Sequence, residues 1–198
     1  MQDLFVNRND CYTVQQEGKN EYIVVKKPLA PEIISGHLAG LITIGVFQIN
    51  PENNKVKWIC FDFDGNVLTD ELEKAKKLYE RLLKNDYHPL LEFSGRRGYH
   101  VWLFIESVDA SVARMFAKDI SVDIDVDEIF PKQDKIEPNE FGGQVKLPLG
   151  IHRVSLNRSY FLNNNFTNLS QEESKKILVS HQNLLRDKIR IKNLYVFS

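Results

Sequence analysis

Along the middle of the chain, hydrophobic positions recur with two different periods, and the change of period predicts the elements. Four segments are apolar or alternate residue by residue, as strands do: 55–64, 89–93, 99–105 and 122–130. Two segments repeat apolar positions at helical spacing: 70–85, with Thr69 as the expected N-cap, and 108–119. The predicted order is β-α-β-β-α-β.

This order is the split βαβ arrangement of ferredoxin-like and RRM-like folds, so we expect an α+β protein. In that topology the first strand lies between the third and the fourth. Both helices pack on one face of the sheet and leave the other face open. On the first strand Ile59, Phe61 and Phe63 are expected to face the helices. The helix side chains expected to face the sheet are Leu72, Ala75, Leu78, Tyr79, Leu82, Leu83, Val112, Met115 and Phe116.

The flanking sequence predicts further elements of a single domain that spans all 198 residues. Its expected parts are an N-terminal α/β annex (1–50), the core with the strands that follow it (51–165) and a C-terminal helical tail (166–198). Further strands are expected at 41–49, 144–147 and 159–162. Ser170 and Glu173 form a capping-box pattern that opens a helix. Its apolar face is expected to contain Ile177, Leu178, Leu184 and Leu185.

Composition and charge narrow the function classes. The formal net charge is -1, which argues against a globally basic nucleic-acid coat but leaves local basic clusters open. Cys11 and Cys60 are the only cysteines, so neither a disulfide framework nor a four-cysteine zinc site is available. No segment has the pattern of a membrane span or a signal peptide. We expect a cytoplasmic protein without zinc.

Two carboxylates at the end of the first strand point to metal chemistry. Asp62 and Asp64 project from the same face, roughly 6.5–7 Å apart along the strand. Like charges this close repel unless a cation or a proton lies between them, and a hard divalent ion is the usual resident. Alternation along 122–130 favours Asp127 as the third ligand and directs Glu128 away. The alternative is a pair of solvent-exposed strand acids.

The segment Ser94–His100 contains a glycine-flanked turn, two arginines and a histidine. Backbone N–H groups exposed by glycines, together with Arg96 or Arg97, suit an anionic phosphate. The alternative is a hairpin turn with a surface histidine. Further candidates for phosphate contacts, each equally compatible with ordinary surface charge, are Lys132, Gln133, Lys146, His152 and Arg153. We expect His37 to be structural and Cys60 to be a packing residue.

These motifs, in this order, resemble those of the archaeo-eukaryotic primase superfamily. That superfamily has a D-x-D strand, a serine-to-histidine motif and a third acid on a later strand. Its S-G-x-x-G-x-H form resembles the polymerase domains of bacterial end-joining ligases. The similarity is greatest to CRISPR-associated primase-polymerases and related conflict-system primases, and it covers roughly residues 35–162. The matching segments are His37–Gly40, Asp62–Asp64, Ser94–His100, Asp127–Gln133 and Leu147–Gly150.

The resemblance implies a primase that transfers nucleotides by two-metal catalysis with Mg²⁺ or Mn²⁺. The expected catalytic and metal-binding residues are Asp62, Asp64 and Asp127. The expected nucleotide-binding residues are Ser94, Gly95, Arg96, Arg97, His100, Lys132, Gln133, Lys146, His152 and Arg153. The implied partners are a single-stranded DNA template, NTPs and dNTPs, and other domains or CRISPR adaptation proteins of the same system. Some relatives carry a cysteine-rich zinc element near the N-terminus, which this chain with two cysteines cannot form. A helical C-terminal primase domain, frequent in such proteins, is expected to be absent or reduced to the final helix.

Two other functions are compatible with parts of the sequence. Phe61–Gly65 resembles the opening motif of haloacid-dehalogenase-type phosphatases, in which the first aspartate accepts a phosphoryl group. That family expects a parallel βα framework and a threonine or valine where Asn66 stands. A non-catalytic nucleic-acid-binding module on the same fold would expose aromatic residues on the open face, where this chain places aspartates.

Overall fold

The computed structural model describes residues 1–137, 139–184 and 186–188. These residues form two sheets, five helices and the loops that connect them. The elements in chain order are α1 (Gln2–Phe5), β1 (Tyr12–Gln15), β2 (Tyr22–Val25), α2 (Pro31–Ala39), β3 (Ile44–Phe47), β4 (Lys55–Asp64), α3 (Leu68–Lys84), β5 (Pro89–Phe93), β6 (Gly98–Asp109), α4 (Ala110–Ile120), β7 (Glu128–Phe130), β8 (Gln144–Lys146), β9 (Tyr160–Phe161) and α5 (Gln171–Asn183).

The larger sheet has the strand order β7-β4-β6-β5-β9, with every neighbouring pair antiparallel. The strand β4, first in the predicted core, therefore lies between the third and fourth strands, and the split βαβ prediction is confirmed. Helices α3 and α4 pack on one face. Ile59, Phe61 and Phe63 are fully buried in the apolar cluster on that face, as their alternation predicted.

The opposite face is apolar at one end and ionisable at the other. Directly paired residues on antiparallel strands share a face, so two rows of side chains cross the sheet. The apolar row consists of Leu90, Trp102, Cys60 and Phe130. Two residues further along each strand, the ionisable row consists of Glu92, His100, Asp62 and Glu128. The charged groups of the site therefore stand beside a hydrophobic floor.

The prediction that this face is open is correct only for the ionisable end. The apolar row is buried under the N-terminal annex, in a second cluster that includes Leu4, Phe5 and Ile44. Trp58 is fully buried there and donates from Nε1 to the Phe5 carbonyl, 2.8 Å away. The annex is therefore part of the hydrophobic core and not a separate appendage.

The smaller sheet has the order β2-β1-β3-β8, so β8 returns to the annex, whereas β9 joins the larger sheet. His37 connects the annex to the Leu147–Gly150 segment. Its Nε2 lies 3.1 Å from the Leu147 carbonyl and 3.0 Å from that of Pro148, and its Nδ1 accepts from the Ile44 N–H. Burial lowers the pKa of His37 to about 4, so the ring is neutral. The expectation of a structural His37 agrees with these contacts.

The segment 122–130 departs from its prediction. Only Glu128–Phe130 is a strand, and Val122, expected to be an inward strand residue, is 81% exposed. Asp123 instead pairs with Lys77 and Arg81, and Asp125 pairs with Lys74, all on α3. In this segment the acids form ion pairs with cations of α3 and do not alternate along a strand. Ion pairing prevails because nothing on this stretch fixes a strand register.

The helices show smaller differences from the predictions. Helix α3 begins at Leu68 with Val67 as N-cap, so Thr69 lies inside the helix. Leu83 and Met115 are 43% and 47% exposed, and the buried face of α4 consists mainly of Ala110, Ala113, Phe116 and Ala117. Small side chains allow α4 to approach the sheet, and apolar spacing alone does not identify them. The capping box of Ser170 and Glu173 is confirmed. Leu185 lies outside the described residues.

Candidate active site

A cavity of about 540 Å³ lies between the ionisable end of the larger sheet and the smaller sheet. It brings together nine residues that the sequence singled out: Asp62, Asp64, Ser94, Arg96, Arg97, His100, Asp127, Lys146 and His152. The remaining lining residues are Asn20, Tyr22, Glu128, Phe130, Gln144 and Val145. The acids come from β4 and the start of β7, and most of the cations come from β6 and the turn before it, so the cavity can accept a ligand that carries both a metal and phosphates.

Asp62 lies at the centre of the acidic side, with its side chain 22% exposed. Burial, helped by the nearby carboxylates of Asp64, Glu128 and Asp127, raises the pKa of Asp62 to about 6, against the opposing pull of His100. Burial is the main cause of this shift, and it disfavours the ionised form of Asp62. A bound cation would favour that ionised form.

Asp127 reaches the cavity from the residue that precedes β7. Its N–H donates to the Asp62 carbonyl (3.0 Å), and its Oδ2 accepts from the Asp64 N–H (2.9 Å). Glu128 pairs directly with Asp62 across the sheet and lines the same cavity. The prediction that Glu128 points away is wrong, because the strand begins at Glu128 and the alternation counted from Val122 does not apply. Lys132 pairs with Glu128 at 2.6 Å.

The turn Ser94–Gly98 closes the cavity on the cationic side. The Ser94 N–H donates to the Gly98 carbonyl (2.9 Å), and Gly95 has φ +95°, which favours glycine. Gly98 is required for a different reason: an added Cβ would lie 1.8 Å from the Phe63 carbonyl oxygen. Arg97 pairs with Asp64 at 2.5 Å, which joins the turn to the acids.

His100 is held between an acid of the cavity and an acid of the core. Its Nε2 lies 3.5 Å from Asp62 Oδ1, and its Nδ1 donates to Glu92 Oε2 at 2.9 Å. Burial alone would lower the pKa of His100, but Glu92 and, less strongly, Asp62 outweigh it and raise the pKa. Lys146 lies behind Glu92, with its Nζ 3.6 Å from Glu92 Oε1.

His152 lines the cavity as a neutral ring. Burial, together with the positive charges of Lys146 and Arg96, lowers the pKa of His152 to about 4. Its Nδ1 accepts from the Val154 N–H at 3.2 Å, so this ring helps to shape the loop that contacts the Ser94–Gly98 turn. Ser155 in that loop donates to the Gly95 carbonyl at 2.6 Å.

Four predicted site residues do not line the cavity: Gly95, Lys132, Gln133 and Arg153. Gln133 Oε1 accepts from the Gly143 N–H at 3.2 Å, and Lys132 is engaged with Glu128 at the edge. Arg153 is 8% exposed, pairs with Glu17 and donates to Thr43 Oγ1 and the Gly40 carbonyl. Arg153 therefore stabilises the fold, although it lies close in sequence to the Leu147–Gly150 motif.

Sequence reasoning missed the residues that the annex contributes. Asn20 and Tyr22 reach the cavity from the β1–β2 hairpin, and no local pattern connects that hairpin to the acids. Glu92 did have a signal, since it is the single charged residue in the strand Pro89–Phe93 and its side chain is fully buried. An ionisable side chain inside an apolar strand indicates a partner in the core.

The acids fit a hard divalent cation by their chemistry, although their present arrangement does not enclose one. Carboxylate oxygens are the ligands that Mg²⁺ and Mn²⁺ prefer, and four carboxylates, those of Asp62, Asp64, Asp127 and Glu128, line this cavity. Within residues 1–137, 139–184 and 186–188, no group of three or more His, Cys, Asp or Glu side chains is positioned as a metal site. Arg97 forms an ion pair with the Asp64 carboxylate, and the Asp127 carboxylate accepts a hydrogen bond from the Asp64 N–H.

The structure disfavours both competing functions. A haloacid-dehalogenase-type phosphatase needs parallel strands around its first aspartate, and β4 is antiparallel to both neighbours. A binding module of the RRM-like type needs exposed aromatic residues on the sheet, and Trp102 is fully buried under the annex. In the described part of the chain, no helix combines the length and apolarity needed to cross a membrane.

Comparisons with known proteins give the family of this chain. Among solved structures, the chain is similar to the AEP domain of the cyanophage S-2L primase-polymerase (PrimPol, PP-N190). The two share 11% identity at a TM-score of 0.49, over 86% of this chain and 89% of that one. Curated proteins yield no match. Residues 1–191 match the family described as "TOTE conflict system, Archaeo-Eukaryotic Primase domain". The chain therefore belongs to the archaeo-eukaryotic primase domains of conflict systems.

Proposed function

We propose that this protein is a primase-polymerase that synthesises primers on single-stranded DNA from NTPs or dNTPs. The observation that supports this function best is the division of one cavity into an acidic and a cationic side. Asp62, Asp64, Asp127 and Glu128 lie on the first, and Ser94, Arg96, Arg97 and His100 lie on the second. A bound nucleoside triphosphate needs both kinds of group, because its phosphates contact a metal ion and cationic side chains.

Asp62, Asp64 and Asp127 are the residues that would hold one or two Mg²⁺ or Mn²⁺ ions. Archaeo-eukaryotic primases generally use divalent metals. Bound there, such ions lower the pKa of an attacking 3′-hydroxyl and neutralise charge on the departing pyrophosphate. Glu128 adds a fourth carboxylate, and its pairing with Lys132 limits how far it can move.

The cationic side orients the triphosphate. Arg96 and Arg97 line the cavity, and the Arg97 guanidinium, which pairs with Asp64, would be available to a phosphate if Asp64 held a metal ion. Ser94 and the backbone of the glycine turn supply short donors, and His100 presents Nε2 from the floor. Lys146 and His152 also line the cavity, where Lys146 pairs with Glu92 and His152 shapes the loop that contacts the glycine turn. The annex residues Asn20 and Tyr22 bound the cavity opposite the sheet.

The family match places the domain in a conflict system, and we extend this to association with a CRISPR or similar defence system. Its partners would be other domains or CRISPR adaptation proteins of the same system. Co-purification of the chain with proteins encoded beside it tests this association.

A primer-free reaction tests the enzymatic proposal directly. Single-stranded DNA, Mg²⁺ or Mn²⁺ and each nucleotide set are incubated with the protein, and the products are resolved by length. We expect products of defined length from wild-type protein and none from the Asp62→Ala, Asp64→Ala double variant. Glu172→Ala is the control, because it also removes an acid, but Glu172 lies on α5, is 77% exposed and pairs with Lys175 outside the cavity. Equal synthesis by the double variant would refute the proposal.

A further inference from the structure

We infer that Glu92 is a positioning residue for nucleotide transfer, which acts by fixing the imidazole of His100 so that Nε2 faces the cavity. This inference rests on the proposed function. It concerns a residue that does not line the cavity and lies one strand behind it. The ionisable row supplies the geometry: Glu92 pairs directly with His100, and His100 pairs directly with Asp62.

The placement of Glu92 is costly for the fold. Its side chain is 0% exposed, and an ionised carboxylate loses its hydration on burial. Its Oε2 accepts from Trp102 Nε1 (2.7 Å) and His100 Nδ1 (2.9 Å), whereas Oε1 has no hydrogen-bond partner within the described residues. An apolar side chain in place of Glu92 alone would leave the buried Lys146 ammonium without its counter-charge and both Trp102 Nε1 and His100 Nδ1 without their acceptor. Glu92 is therefore retained for its polar contacts, and the contact with His100 is the one that leads to the cavity.

The charge of Glu92 is balanced from behind. Lys146 Nζ lies 3.6 Å from Glu92 Oε1 and donates to the Leu147 carbonyl (3.0 Å) and to Ser159 Oγ (3.1 Å). These contacts use the directions in which an ammonium group donates, so Lys146 holds Glu92 in place. The carboxylate thereby has Lys146 at Oε1, and its Oε2 accepts from both the Trp102 indole and the His100 imidazole.

The consequence for His100 is a single ring orientation. An imidazole can flip about its last torsion angle, and the hydrogen bond at one nitrogen decides which nitrogen faces the site. With Nδ1 bound to Glu92, Nε2 lies 3.5 Å from Asp62 Oδ1 at the floor of the cavity. The Trp102 ring stands edge-on to the imidazole at 5.7 Å and limits sideways motion. The nitrogen that meets the nucleotide is therefore selected by Glu92.

Steady-state kinetics of Glu92→Gln on a primed template tests this role. We expect the KM for the nucleotide to rise by about tenfold or more, with template affinity unchanged by fluorescence anisotropy. The decisive measurement is the double variant Glu92→Gln, His100→Ala. If Glu92 acts through His100, the double variant is no worse than His100→Ala alone. Multiplied losses, or wild-type kinetics for Glu92→Gln, would overturn the inference.

Two controls separate positioning from general destabilisation. Ser121→Ala removes a buried hydroxyl that donates to the Ala117 carbonyl at 2.7 Å, far from the ionisable row. It should lower the melting temperature and leave the KM unchanged. The ¹⁵N NMR spectrum of the His100 ring needs no activity: a strongly hydrogen-bonded Nδ1–H is expected in wild type and a weaker one in Glu92→Gln, whose neutral amide oxygen is the poorer acceptor. If wild-type protein shows this NMR signal but is inactive, the proposed function alone is refuted. If the signal is absent from wild type, the positioning role of Glu92 is refuted.

Discussion

Asp62 is expected to bind a metal ion in the site, yet its environment disfavours the ionised form of its own side chain. Burial and the neighbouring carboxylates raise its pKa from an ordinary value of about 3.8 to about 6. Because the folded-state pKa is the higher one, ionised Asp62 destabilises the folded protein above about pH 6. The penalty shrinks as the pH falls from 6 towards 4 and is absent below the unfolded-state pKa. A site poised for a cation is thus a local weakness in its absence.

Asp62→Asn should therefore stabilise the metal-free protein at neutral pH. The shift of about two pKa units corresponds to a gain of roughly 1–3 kcal/mol in unfolding free energy at about pH 8, and to no gain at about pH 4. Urea unfolding with EDTA at both pH values measures this. Asp123→Asn is the control with the opposite sign, because ion pairs with Arg81 and Lys77 lower the pKa of that carboxyl. Destabilisation by Asp62→Asn at about pH 8 would contradict the prediction.

Gly98 shows how one atom fixes the distance between the cationic turn and the acids. An added Cβ would lie 1.8 Å from the Phe63 carbonyl oxygen, so β6 would have to move away from β4. We expect Gly98→Ala to cost roughly 1–3 kcal/mol of stability and to abolish nucleotide incorporation. Thermal unfolding and the primer extension assay measure the two effects.

Gly36→Ala is the matched control for that substitution. Gly36 lies inside α2, and an added Cβ would meet only the Ile42 side chain at 3.6 Å. Alanine favours the helix by up to about 1 kcal/mol, so this variant should be at least as stable as wild type and fully active. Equal behaviour of the two variants would show that the close approach at Gly98 is not needed.

At the level of elements, the segment between α4 and β7 places Asp127 without being a strand. It is tied to α3 by Lys74, Lys77 and Arg81, which pair with Asp125 and Asp123. Arg81 also donates to the Ile120 carbonyl at 3.0 Å, at the end of α4. The site acid is therefore positioned by a charge network that spans two helices.

A double-mutant cycle on Arg81 and Asp123 tests this network. Because Arg81 contacts Asp123 with two nitrogens and shares it with Lys77, their coupling should exceed that of an isolated surface pair. Lys175 and Glu172 form such a pair on α5 and provide the reference. Urea unfolding of the single and double alanine variants gives both coupling energies. Equal couplings would show that the segment is held by its backbone contacts alone.

The elements also show where prediction from sequence succeeds. The strands 55–64 and 89–93 were predicted at their exact bounds, because buried apolar runs between turn residues leave little choice of register. The strand predicted at 122–130 failed because helix cations, distant in sequence, use the same acids. Site residues on β4 and β6 follow from alternation, whereas Glu128 depends on where a three-residue strand begins.

For the whole molecule, the sequence could predict the sheet that carries the acids but not the surface that closes over it. Residues 144–146 join the annex sheet, and 160–161 join the core, although both were predicted as similar short strands. The Asn20 and Tyr22 wall depends on how two sheets pack, which is decided by the apolar row and its partners on α1 and β3. Such packing is a property of the complete chain.

The shared core leads to a prediction about domain organisation. Trp58 and Trp102 are 0% exposed, and the Phe5 ring packs edge-on against Trp102 at 5.0 Å. Cutting the chain to residues 51–165 removes the annex and α5, both of which cover this surface, and exposes it to water at a cost of about 25 cal/mol for each Å² of apolar area. We expect the fragment 51–165 to lack a cooperative urea transition, with red-shifted tryptophan fluorescence. The full chain should unfold in one transition.

Fragment complementation distinguishes a missing core from a damaged one. If residues 1–50 supply only the cover for the apolar row, adding them as a separate peptide should shift the tryptophan emission of the fragment back towards the blue. A peptide with Phe5→Ser is the matched control, because Phe5 contacts both Trp102 and Phe104 edge-on and its loss removes the centre of the interface. Cooperative unfolding of 51–165 alone would instead make the annex a separate unit. The cavity between the two sheets would then be an interface between domains, and its Asn20–Tyr22 wall would be free to move relative to the acids.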